Sequence, residues 1–170
     1  MGILKDEKLD VTNLYIALKD YEKVSNRIYL SGALRGKISA KSNQPYYVQQ
    51  GLGWGDYVRG YEYYVVDGQR YGTAKLGLRY EFVKPHVQTM PVPLKKFNTF
   101  HYAFYAGLYG DAGYVEDGLH ASQNPLANTL LYGYGIGIDY VTYYDMVLRV
   151  EYSINKIFEH GLFLHFEAGI

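Results

Sequence analysis

Apolar and polar residues alternate with a strict period of two in seven segments, and this feature most narrows what the chain folds into. In an extended strand successive side chains point to opposite faces, so such a pattern gives one apolar and one polar face. In residues 146–154 the even positions Met146, Leu148, Val150, Tyr152 and Ile154 oppose Val147, Arg149, Glu151 and Ser153. In 74–82, Ala74, Leu76, Leu78, Tyr80 and Phe82 oppose Lys75, Gly77, Arg79 and Glu81. At the C-terminus Leu162, Leu164, Phe166, Ala168 and Ile170 oppose Phe163, His165, Glu167 and Gly169. Segments 14–24, 28–38, 100–114 and 130–140 read the same way, the last with Gly133, Gly135, Gly137 and Asp139 on its polar face. The expectation is an all-β chain of seven strands, each about nine to twelve residues long, the length a tilted strand needs to cross a bilayer.

Two architectures compete for this pattern. A soluble sandwich or barrel hides its apolar face and shows charge to water. A transmembrane barrel inverts this, with apolar residues toward lipid and charges toward a wet lumen. Strand length, glycine on the polar face and aromatic content favour the membrane barrel. Of 170 residues 21 are Tyr, 7 Phe and one Trp, and tyrosine suits a surface where hydrocarbon meets water. Ordinary β-structure also accepts Tyr and Gly. No segment approaches the roughly 20 apolar residues of a spanning helix. Residues 1–10 scatter charges without an apolar core, unlike a signal peptide, so an export signal is expected elsewhere. Balanced charge, 17 basic against 17 acidic, gives no nucleic-acid signal, and the absence of cysteine excludes disulfide and thiolate chemistry.

Connections 41–72, 116–128 and 155–160 fall at one end of the expected sheet, and 21–26, 84–99 and 141–144 at the other. The segment 84–99, with Pro85, Pro91 and Pro93, reads as a solvated linker. Glycines 133, 135 and 137 share a strand face and precede no helix, so they leave lumenal space and do not form a phosphate loop. Histidines 86, 101, 120, 160 and 165 have no metal-ligand spacing. Arg149, Glu151, His165 and Glu167 read as a wall of lumenal charge. No nucleophile elbow or catalytic triad spacing appears, and no enzyme, metal or cofactor is expected.

Within the long connection 41–72 lies Tyr57-Val58-Arg59-Gly60-Tyr61-Glu62. Its first five residues resemble the Val-Arg-Gly-Phe/Tyr motif of the BamA/TamA-type outer-membrane assembly and translocation barrels, the bacterial surface antigen family. Leu78-Arg79-Tyr80, then Tyr109-Gly110-Asp111-Ala112-Gly113, then the glycine-alternating 133–139 follow in the family's order. The ending at 161–167 is similar to versions from Bacteroidetes-type bacteria. The resemblance covers nearly the whole chain and implies that 1–170 is the C-terminal portion of a sixteen-stranded antiparallel barrel. It also implies that the long loop folds into the barrel and that Arg59 docks on Asp111, beside Gly113. Gly77 stands where the family often has Glu, so a second acidic partner must be another residue, for which Glu81 is the candidate. The closing strand would present Leu162, Leu164, Phe166 and Ile170, although the family commonly ends on an aromatic residue.

By the same resemblance the protein belongs in the bacterial outer membrane, where it inserts β-barrels or passes client polypeptides, with accessory lipoproteins among possible partners. Two alternatives stand beside this: a translocator barrel for a secreted phospholipase-like protein, and a small non-catalytic β-protein.

Overall fold

A computed structural model describes residues 12–40, 48–89, 99–142 and 146–167. Seven strands form one antiparallel sheet in chain order: β1 (Asn13–Ser25), β2 (Ile28–Ser39), β3 (Arg70–Thr89), β4 (Thr99–Glu116), β5 (Leu130–Thr142), β6 (Val147–Asn155) and β7 (His160–Glu167). Each strand pairs only with its neighbours in sequence, so β1 and β7 are open edges and the sheet is not closed. A 3-10 turn, Ala121–Gln123, lies in the connection between β4 and β5. Five of the alternating segments, 14–24, 28–38, 100–114, 130–140 and 146–154, match strands to within a few residues, whereas 74–82 lies inside the much longer β3 of 20 residues. The seventh, 162–170, is strand to Glu167, and its last residues, Ile170 included, lie outside the described part.

The linker expected at 84–99 is corrected in part. Strand β3 continues to Thr89, with His86 opposite Tyr102 and Thr89 opposite Thr99. Pro85 lacks an N–H and falls where the register shifts between Val83 and His86, so the ladder loses no donor it would otherwise use. Residues 90–98 lie outside the described part.

The two faces differ as the alternation requires. Leu76, Leu78, Leu108, Ile136, Ile138, Leu162, Leu164 and Phe166 are exposed on one face. On the other face Lys37, Glu81, Asp111, Asp139, Arg149 and Glu151 are buried. Charge therefore sits where a soluble protein would place its core. The connection between β2 and β3 covers this face at one end, held as a bridge by reciprocal bonds between Leu52 and Val66, each 2.9 Å. Leu52, Val58, Tyr61 and Val66 of the loop pack on Val115, Ala127 and Leu131. Each fully buried Val or Leu there contributes roughly 1.5–3 kcal/mol, so an apolar cluster as well as charge seats the loop.

Candidate functional site

The loop turns at Val58-Arg59-Gly60-Tyr61. The Tyr61 amide donates to the Val58 carbonyl at 2.9 Å, and Gly60 has φ +77°. A four-residue turn with its third residue in the left-handed region is a type II turn, which calls for glycine there and places Arg59 at the apex. A side chain on Gly60 would also run into Asn155, whose Nδ2 donates to the Gly60 carbonyl at 2.8 Å.

The apex lies over β5. A Cβ on Gly133 would overlap the Arg59 carbonyl, and one on Gly113 would crowd Val58, so both glycines make the close approach possible. From there Arg59 reaches two carboxylates. Its Nη1 donates to Asp111 Oδ1, its backbone N–H to Asp111 Oδ2 at 3.3 Å, and its Nε to Glu151 Oε1 at 2.6 Å. Both carboxylate side chains are fully buried. The Lys75 ammonium stands 3.7 Å from Asp111 Oδ2 and 4.0 Å from the centre of the Tyr57 ring. The pairing of Arg59 with Asp111 agrees with the sequence expectation.

Glu81 does not fill the second acidic position. It accepts a hydrogen bond from the Tyr29 hydroxyl at 3.0 Å. Register explains the difference: Lys75 is opposite Asp111, whereas Glu81 is opposite Tyr105. Six residues separate Lys75 from Glu81 along β3, about 20 Å, too far for the loop apex. Glu151 takes the place from β6 by leaning across β5. Its Oε1 lies 3.1 Å from where a Gly135 Cβ would stand, and Gly137 leaves its Cβ similar room at 3.4 Å.

Tyr109, to which the sequence assigned no role of its own, organises the next layer. The guanidinium carbons of Arg59 and Arg149 each lie 4.4 Å from its ring centre. Its hydroxyl donates to Asp139 at 3.0 Å, and Arg149 binds that carboxylate through two nitrogens at 2.6 and 2.9 Å. Arg79 approaches Asp139 at 3.2 Å. The signal for Tyr109 was present in sequence: Gly77 and Gly107, both on its face, stand where any side chain would strike the ring.

A second group surrounds the motif's flanks. The Tyr57 ring stacks on His165 of β7, with centroids 5.7 Å apart and planes 6° apart, and its hydroxyl lies 3.2 Å from His165 Nδ1. Burial pushes the Tyr57 hydroxyl up to about 12. Glu62 turns inward, and burial lifts its carboxyl above the ordinary value although the backbone amides of Glu62 and Gly60 act the other way. Ligand atoms of Glu62, Glu151 and His165 all lie within 4.8 Å of one another, a convergence that linear spacing does not reveal. Elsewhere the loop is held by the ion pair of Arg35 with Asp56 and by Lys37, whose Nζ donates to the carbonyls of Val48 and Gln50 at 3.2 and 2.7 Å. Along the open edge, Leu162, Leu164 and Phe166 face outward.

This arrangement positions a loop by charge and shape. Comparison with protein-family models, curated proteins and solved structures found no match to the chain.

Proposed function

We propose that this sheet is the C-terminal part of a transmembrane β-barrel in the bacterial outer membrane, of the BamA/TamA type, which inserts or passes polypeptides without catalysis. The observation that carries the reading is the loop anchor on an inverted sheet. The outward face is apolar, the inward face is charged, and Arg59 is tied to that inward wall through Asp111 and Glu151. An open edge within hydrocarbon would leave unpaired backbone groups, so further strands complete the barrel beyond β1 and β7. The seam at β7 is the place for lateral opening, with Leu162, Leu164 and Phe166 toward lipid. The loop, fixed by Arg59, then sets the shape of the lumen beside that seam.

The test is Arg59→Ala in the full-length protein, with assembly of client barrels and protease protection of the loop both followed. Loss of assembly together with faster loop cleavage is expected. Unchanged assembly with unchanged protection overturns the proposal. Membrane residence is checked separately by detergent extraction and heat-modifiable gel mobility, where a chain that stays in the aqueous fraction overturns it.

A further inference from the structure

We propose that Glu62, Glu151 and His165 form a binding site for a divalent cation of the zinc class, which staples the loop to β6 and β7. The three residues come from the loop and from two adjacent strands, and their ligand atoms lie within 4.8 Å of one another. Two carboxylate oxygens and one imidazole nitrogen are a donor set that zinc accepts, with a fourth position left for water. In a tetrahedral site with metal–ligand bonds of about 2.1 Å the ligand atoms stand about 3.4 Å apart, so side-chain movements of about an ångström close the set.

Two further observations point to a ligand. Glu151 is 0% exposed, and its Oε1 is taken by Arg59, while its buried Oε2 makes no hydrogen bond. A carboxylate oxygen in that state is costly to bury unless something binds it. Finally, the stacked Tyr57 ring holds the imidazole, and with Nδ1–H donating to the Tyr57 hydroxyl oxygen the tautomer is the one that gives Nε2 to the metal. Such a partner on the other ring nitrogen is the usual support of a metal-bound histidine.

The consequence is mechanical. Arg59 ties the loop to β4 and β6, and the cation adds β7, the open edge strand, to the same anchor. This inference rests on the seat of the loop and stands whether or not the sheet resides in a membrane.

The experiment uses the purified chain, stripped by a chelator and titrated with Zn²⁺ by calorimetry near neutral pH. Co²⁺ serves as a visible probe of nitrogen and oxygen ligation. One Zn²⁺ per chain is expected, with affinity reduced by at least about tenfold in both Glu62→Gln and His165→Gln. Zinc should also slow proteolysis of the loop in the unsubstituted chain and leave both variants unaffected. Glu151 is left intact because its loss would uncover Arg59. No one-to-one binding of either metal, or binding unchanged in both variants, overturns the site. So does a loop whose protection changes with pH and not with zinc, which would mark the two carboxyls as sharing a proton.

Discussion

Arg59 has both of its carboxylate partners buried, so its removal costs more than the lost bonds. Arg59→Met keeps much of the apolar stem but leaves Asp111 with Lys75, 3.7 Å away, and takes from Glu151 its guanidinium partner. Breaking a buried pair in this way costs about 3–5 kcal/mol, and the expected outcome is detachment of the loop well below the temperature at which the strands melt. Comparison of loop cleavage with strand circular dichroism during heating checks this. Gly60 gives a backbone counterpart. Gly60→Ala forces a side chain into the left-handed region and against Asn155, whereas a Cβ on Gly110 meets nothing within 4 Å. Gly60→Ala should therefore loosen the loop by more than about 1 kcal/mol and Gly110→Ala should leave it seated, as read by the same cleavage assay. At this scale the sequence was partly legible. The turn motif and the pairing of Arg59 with Asp111 could be read from the resemblance of residues 57–61 and 109–113. The choice of Glu151 over Glu81 could not, because it depends on the registers of three ladders and on a side chain crossing β5 above Gly135.

Elements were the most legible scale, since alternation is a local property and each strand carries it within its own length. Legibility failed where long-range pairing decided the outcome. Pro85 marks a break in β3 but not its end, because Tyr102, His101 and Phe100 wait opposite in extended form. The loop core of Leu52, Val58 and Val66 has no period to detect, and its packing on Val115 and Leu131 appears only once the sheet exists. The connection from β4 to β5 depends on one carboxylate. Asp117 Oδ1 accepts from Gln69 Nε2 at 2.9 Å and from the amides of Leu119 and His120 at 2.9 and 3.1 Å. Burial opposes its ionisation, but these donors outweigh burial and hold its carboxyl below the ordinary value. Its folded value is thus lower than the unfolded one. Its stabilisation is present above the ordinary carboxylate value of about 3.9 and is lost as pH falls through the depressed value. Acid should free this connection, and Asp117→Asn should abolish that dependence, with amide exchange at Leu119 and His120 as the measurement.

For the whole molecule, the question is what medium the sheet is built for, and a single outward residue can decide it. Two physical facts constrain the answer. The sheet has two unpaired edges, and its large apolar side chains lie on the face that the loop leaves bare. A soluble sandwich would need a second layer over that face, and the described residues supply none, because the loop packs on the charged side. Leu108 stands in the middle of β4 with its side chain on the bare face, 57% exposed. In water, replacing such a residue by arginine changes stability by no more than about 0.5 kcal/mol. At the midplane of a bilayer the same change costs roughly 2–4 kcal/mol, falling toward zero near the interfaces. Leu108→Arg is therefore expected to lower the yield of heat-modifiable, bilayer-inserted protein, and a matched substitution near the end of β4 at Tyr114 should do so much less. Equal tolerance at both positions would mean that this face meets water or a protein partner rather than lipid. Dependence on depth is a property of the bilayer, so the difference between the two positions carries the test.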